Sequence, residues 1–201
     1  MNQPRPELGL DDGRLALIVD GAVQSIDPPE YGPQPGYWQA MLPSVRPRNA
    51  LILGLGGGTI ATLLRRRFGS VPITGVEIDE EVAELARTRF GQDDPATRIV
   101  VGDAFEFVEA CKDSFDYVAV DLFVGPVLVT RALAKPFLRA LRRIAGGTGL
   151  VVYNLTLTRR LPQYLDRLGL VFRIEQAIDV EFNVVVHLRS RFRGYPKCRR
   201  R

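Results

Sequence analysis

The apolar residues of this chain come in short runs, each closed by a glycine, an acid or a polar cluster. Leu15–Val19, Asp20-Gly21 and Ala22–Ile26 read as strand, tight turn and strand, since Asp-Gly between apolar runs signals a hairpin. Residues 1–10 read as loose. Residues 27–36 hold Pro28, Pro29, Pro33 and Pro35 with Gly32 and Gly36, which predicts a loop; Tyr37–Leu42 predicts a short helix. From Ala50 onward the two periodicities alternate. Strand 50–54 leads to helix 58–68, strand 72–77 to helix 79–90, and strand 98–102 to helix 103–111. Strand 116–121 leads through a loop to helix 130–144, and strand 149–154 to helix 160–168. The last two strands, 171–180 and 183–189, are predicted to be antiparallel and joined by a turn at Phe182-Asn183. Such alternation implies the α/β class: a parallel sheet covered by helices, with a reversed hairpin at its end. The boundaries that follow are a hairpin and Pro-rich loop over 1–42, an α/β domain over 43–190 and a tail over 191–201.

Composition narrows the setting. A chain of 201 residues suffices for one well-buried domain. No apolar run reaches the ~20 residues of a membrane-spanning helix, so no membrane partner is expected. Met1-Asn-Gln-Pro-Arg-Pro-Glu7 lacks the layout of a secretory signal, which makes the cytoplasm the expected location. Cys111 and Cys198 have no metal-type spacing, so neither a zinc site nor a disulfide framework is expected. The net charge of +4 belongs to the tail: residues 189–201 carry seven basic side chains and no acid. Without them 20 basic groups face 23 acidic ones, and the body is near −3. A basic tail can contact nucleic acid or anionic lipid. With no aromatic-interleaved basic face nearby, it reads instead as a solubilising end, and no nucleic-acid partner is expected.

The chemistry concentrates at strand ends. Leu51-Ile-Leu-Gly-Leu-Gly-Gly-Gly-Thr59 puts Gly54, Gly56 and Gly58 in a turn between strand and helix. Residues without Cβ let the chain turn sharply and let a ligand approach the backbone. A dinucleotide fingerprint would carry Gly or Ala at Thr59, which disfavours NAD. Glu77, Asp103 and Asp121 each end a strand-like run, where an open α/β sheet lines its ligand crevice. Glu77, about twenty residues past the glycines, suits ribose hydroxyls, with a solvated helix-start carboxylate as the alternative; Asp79 beside it suits a helix cap. Asp103 suits either the exocyclic amine of adenine or the cap of helix 103–111. Asp121 could hold a cationic amine or take its proton, or simply form a turn. His187 lies inside an apolar run and reads as a satisfied strand histidine, and Arg65–Arg67 and Arg142-Arg143 as solvated helix ends.

Together these segments resemble the polyamine aminopropyltransferases (spermidine synthases and relatives), a branch of the class I S-adenosylmethionine-dependent methyltransferase fold. Leu17-Ile-Val-Asp-Gly-Ala-Val-Gln-Ser25 is similar to the family's L-x-x-D-G-x-x-Q-S hairpin, Val76-Glu-Ile-Asp79 to its V-E-I-D, and Val101-Gly-Asp-Ala-Phe-Glu-Phe107 to its G-D-[GA]-x-x-F. The resemblance implies a Rossmann-like, mostly parallel seven-stranded sheet with helices on both faces, a C-terminal antiparallel hairpin and a short N-terminal β-hairpin. It implies that Gln24 and the glycine turn contact a nucleoside cosubstrate, that Glu77 with Ile78 binds ribose, and that Asp103 and Ala104 bind adenine. Asp121 would be the amine-activating aspartate, with Tyr37 and Leu122 beside the acceptor. The cosubstrate would be decarboxylated S-adenosylmethionine or S-adenosylmethionine, without a metal, and the assembly a homodimer. The departures lie in the glycine loop and on the acceptor side. Gly54-Leu-Gly-Gly-Gly-Thr59 lacks the loop aspartate of G-G-G-D-G-G, and Asp121-Leu-Phe-Val-Gly-Pro126 is shorter than D-S-S-D-P-x-G-P and lacks its second aspartate. Tyr37-Trp38-Gln39 only loosely matches the family's Tyr-Gln-Glu, and no counterpart of its C-terminal diamine contacts is legible. The expected function is aminopropyl transfer to an amine less charged than an ordinary diamine. Methyl transfer from S-adenosylmethionine to a small molecule is the alternative, and a non-catalytic binding protein the second.

Overall fold

In the computed structural model, which describes residues 5–27 and 36–190, the chain forms two linked sheets and a small ribbon. The first sheet is a meander of β1 (Pro6–Asp11), β2 (Arg14–Val19) and β3 (Ala22–Asp27). A short helix α1 (Tyr37–Ala40) precedes β4 (Ala50–Leu53), α2 (Thr59–Phe68), β5 (Ile73–Glu77) and α3 (Glu80–Arg89). Next come β6 (Thr97–Val101), α4 (Ala104–Ala110), β7 (Tyr117–Val120) and the two-stranded ribbon β8 (Phe123–Val124) and β9 (Val127–Leu128). A 3-10 turn over Thr130–Leu133, α5 (Lys135–Ile144), β10 (Leu150–Thr156), α6 (Leu161–Gly169), β11 (Phe172–Val180) and β12 (Asn183–Ser190) complete the order.

The main sheet has seven strands in the order β11-β12-β10-β7-β4-β5-β6, and only β12 runs against the others. Central strands buried on both faces need continuous apolar sequence, which is what 50–53, 117–120 and 150–153 supply. Their alternate residues serve opposite cores. Leu51, Leu53, Val118, Val120, Val151 and Tyr153 meet Val108, Leu138, Leu141 and Leu168 of α4, α5 and α6. Ala50, Ile52, Tyr117, Ala119, Leu150 and Val152 meet Ile60, Leu63, Leu64 and Ala86 of α2 and α3. Among the described residues no helix is long and apolar enough to cross a membrane.

Four expectations need correction. Residues 1–10 are expected to be loose, but Pro6–Asp11 forms β1, so the N-terminal element is a three-stranded meander rather than a hairpin. Its first turn is a second Asp-Gly, Asp12 (φ 47°) and Gly13 (φ 76°), built like Asp20 (φ 51°) and Gly21 (φ 71°). Helix 130–144 is broken: a proline ring inside a helix clashes with the carbonyl four residues back, and the chain is extended at Ala134, two residues before Pro136. The turn of the last hairpin lies at Glu181-Phe182, with Asn183 already paired to Val180. The ribbon β8–β9 stands where a loop is predicted. The basic tail and most of the Pro-rich loop lie outside the described residues.

Candidate functional site

The chain leaves β4 for β5 on one side and returns to β7 on the other, so the sheet reverses its strand order between β4 and β7. A crevice opens at the carboxyl ends of such a pair. Here those ends are Gly54 and Asp121, and they meet closely. A Cβ on Gly54, at φ +81°, would lie 2.0 Å from the Asp121 carbonyl oxygen. Only glycine satisfies both constraints. The cleft above them has a volume of about 380 Å³, within the range of small-molecule sites.

Three walls enclose it. One is the glycine loop, whose amides are all committed within the protein. Gly54 and Leu55 donate to the Val76 carbonyl (3.0 and 3.1 Å) and Gly58 to that of Leu55 (2.9 Å). Gly56 donates to Glu77 Oε2 (2.8 Å) and Gly57 to Ser25 Oγ (2.7 Å). The second wall is the N-terminal meander. A bulge in the β2–β3 pairing leaves Gln24 unpaired between Val23 and Ser25, so Gln24 and Ser25, adjacent in sequence, both line the cleft. Gln24 Nε2 donates to the Gly125 carbonyl (3.1 Å), joining the meander to the third wall, residues 121–129. Ile26 N donates to Thr59 Oγ1 (3.2 Å), so the threonine at the position of a third glycine fastens β3 to the start of α2.

Glu77 is buried, and its carboxylate accepts from Gly56, Ile78 (2.9 Å) and Asp79 (3.1 Å) amides. Burial pushes its pKa up and the three amides pull it back, leaving it above the ordinary value. Three donors on two oxygens leave one acceptor site of the carboxylate unused. Asp103 caps α4 through Oδ1, which accepts from Phe105 N (2.6 Å), while Oδ2 lies 3.6 Å from Arg131. The Arg131 guanidinium sits 4.2 Å from the centre of the Phe105 ring. Ala104 and the exposed Ile78 complete this end.

Asp121 lies at the other end, among Leu122, Phe123, Val124 and Trp38. Burial pushes its carboxyl up to about 6, against the pull of hydrogen bonds from Asn154 and Tyr37. Asn154 Nδ2 donates to its Oδ1 (2.8 Å). The Tyr37 hydroxyl is raised well above its ordinary range, chiefly by burial and then by the Asp121 charge.

Of the residues singled out from sequence, Gln24, Gly54, Gly56, Glu77, Ile78, Asp103, Ala104, Asp121 and Leu122 converge on this cleft. Gly58 does not: it faces Gln92, whose side chain would collide with a Cβ there. Tyr37 stands behind Asp121 rather than in the lining, where its neighbour Trp38 lies instead. Ser25, Phe105, Arg131 and Asn154 belong to the site or its support without being singled out by the sequence. Ser25 alone carried a signal, as the last residue of the hairpin signature. His187 Nε2 pairs with the Ala40 carbonyl (2.7 Å), away from the cleft.

Similarity to known proteins converges on the same segment. The chain is 36% identical over 123 residues to the polyamine aminopropyltransferase of Thermococcus onnurineus (strain NA1), covering 57% of this chain and 43% of the relative. It is 31% identical over 118 residues to the eEF1A lysine and N-terminal methyltransferase homolog of Drosophila melanogaster, covering 54% of this chain and 18% of the relative. A spermidine synthase solved in complex with the transition-state analogue AdoDATO shares the fold, with a TM-score of 0.67 at 20% identity over 92% of this chain and 72% of that one. The chain spans less than half the length of the curated relatives it matches first. The model of the spermine/spermidine synthase domain matches residues 39–157, more than half of the chain and nearly all of the strand ends that build the cleft. The chain therefore belongs to the spermine/spermidine synthase domain family.

Proposed function

We propose that the cleft binds an adenosyl sulfonium, decarboxylated S-adenosylmethionine, and transfers its aminopropyl group to an amine, with Asp121 as the proton acceptor. The observation that carries this reading is Asp121 itself: a carboxylate at the sheet's switch point, with a pKa raised to about 6, sharing one cleft with Glu77 and Asp103. A base titrating near neutrality is both ionised and able to hold a proton. The amine nitrogen attacks the propyl carbon bonded to sulfur. The carbon–sulfur bond breaks with its electron pair going to sulfur, methylthioadenosine leaves, and the proton lost from nitrogen passes to Asp121. The residues' contribution is alignment and proton acceptance.

On the nucleoside side, Glu77 offers its remaining acceptor site to ribose and Asp103 with Ala104 meets adenine. AdoDATO bound to a protein of this fold supports an adenosyl ligand in such a crevice. The committed amides of Gly54–Gly58 favour the decarboxylated donor, because they leave a methionine carboxylate no hydrogen bonds there. Arg131 is the one cation among the described lining residues, and it sits at the opposite end, beside Asp103. On the acceptor side, Leu122, Phe123 and Val124 favour an amine with an apolar body over a dicationic one. Methyl transfer is the second reading, favoured by the similarity to the Drosophila methyltransferase homolog.

Calorimetry with methylthioadenosine and decarboxylated S-adenosylmethionine, against S-adenosylhomocysteine and S-adenosylmethionine, tests the choice. Preference for the first pair supports aminopropyl transfer, and preference for the second replaces it with methyl transfer. Binding of none makes the protein a non-catalytic member of its family. Asp121→Asn is expected to abolish transfer and spare nucleoside affinity; unchanged turnover would sink the base assignment.

A further inference from the structure

Asp121 does not stand alone behind the cleft. Asn154, near the end of β10 and almost fully buried, donates its amide to Asp121 Oδ1 at 2.8 Å. Its own oxygen accepts from the Asn183 amide at 2.9 Å. Asn183 begins β12, the one reversed strand, and pairs with Thr156 of β10 and Val180 of β11. The three side chains thus form a directed chain of hydrogen bonds from the sheet's antiparallel hairpin to its switch point.

The direction is fixed at the Asp121 end. An ionised carboxylate only accepts, so Asn154 must present its NH2 group to Asp121. With Asn183 donating to the Asn154 oxygen, the opposite orientation of that amide would lose both bonds. A flipped Asn154 would also set its oxygen against a carboxylate oxygen in a buried place, where unpaired polar groups are costly.

We infer that Asn154 and Asn183 are positioning residues: Asn183 locks the Asn154 amide, and Asn154 holds the Asp121 carboxylate as an acceptor aimed by one fixed donor. This rests on the reading of Asp121 as the base. Two other groups act on Asp121 from the elements packed against it. Tyr37 of α1 lowers its pKa from close by, and Tyr117 of β7 feels its charge. Neither tyrosine ionises in the working range, since both are raised above the ordinary phenol value. Asn154 and Tyr37 act against the burial that raises the Asp121 carboxyl. A positioning residue acts without touching substrate, so its signature is the titration of Asp121 rather than nucleoside binding.

The test is a carbon-13 titration of the Asp121 carboxyl in the whole chain, with its resonance identified by loss in Asp121→Asn. Asn154→Leu keeps the branched outline at Cγ and removes the donor. Its midpoint is expected to move up by about one to two pH units, the worth of a hydrogen bond to an ionised group. Asn183→Val, at a part-exposed strand start that tolerates β-branched residues, is expected to move it in the same direction by less. Methylthioadenosine binding checks that each variant is folded. A folded Asn183→Val protein with an unmoved midpoint overturns the two-residue relay, even if Asn154→Leu fails to fold. Failure of the base reading looks different: the midpoints move, but Asp121→Asn turns over normally.

Discussion

Replacing Asp121 by Asn should make the protein more stable above neutrality while costing it its proposed chemistry. The magnitude follows from the position of the carboxyl. Its pKa is pushed from the ordinary 3.8 to about 6 by burial, so the folded state holds this proton more tightly than the unfolded chain. Between those values the folded protein carries more protons, and rising pH therefore removes stability. A gap of about two pH units at 1.36 kcal/mol each makes ionised Asp121 cost about 3 kcal/mol once the pH exceeds 6, an upper figure because the cleft admits water. Asparagine never ionises and still accepts from Asn154 through its carbonyl oxygen. Urea unfolding of both proteins, followed through the single tryptophan, Trp38, checks this across pH 4 to 8. The stability of wild type relative to Asp121→Asn is expected to fall between about pH 4 and pH 6 and then level off. Other groups cancel in this difference. A flat difference across the range refutes the reasoning, because it would mean Asp121 is solvated and its proton affinity ordinary.

Two further substitutions probe the frame of the cleft. Gly54→Ala puts a methyl 2.0 Å from the Asp121 carbonyl oxygen at φ +81°, whereas Gly13→Ala meets nothing within 4 Å at φ +76°. The second is expected to cost about 1–2 kcal/mol, the ordinary left-handed penalty, and the first at least about 4 kcal/mol; equal losses in urea would contradict the close approach at the switch point. Glu77→Gln sets an amide nitrogen among backbone N–H donors and is expected to weaken methylthioadenosine at least about tenfold by calorimetry; unchanged affinity would remove Glu77 from the nucleoside site.

What could be read from the sequence was local, or periodic. Gly54, Glu77, Asp103 and Asp121 were visible because each closes an apolar run, and parallel strands deliver all such ends to one edge of the sheet. The choice for Asp103 was undecidable there because one carboxylate can cap a helix and still face a cleft: one oxygen caps α4, and the residue lines the cleft. Asn154 carried no signal, since its partners are 33 residues before it and 29 after. β1 was hidden because neither of its leucines, Leu8 and Leu10, is buried, so it supplies no buried face. The shifted last turn has a similar cause: its left-handed residue is Glu181, a type that gives no warning of positive φ.

The meander's attachment to the glycine loop has a consequence for how the molecule opens. The sheet is held by continuous ladders of strand pairing, one of which joins Ala50–Leu53 to Tyr117–Val120 across the intervening strands and helices. The hydrogen bonds that tie the meander to the cleft are isolated side-chain bonds, Gly57 to Ser25, Ile26 to Thr59 and Gln24 to Gly125. A segment held by a few side-chain bonds opens at lower free energy than a continuous ladder, so this wall is the first piece of the architecture to leave. A ligand held between the meander and the sheet adds its binding free energy to that docking alone. Whatever loosens the first strands thus dismantles the cleft while the seven-stranded sheet stays folded.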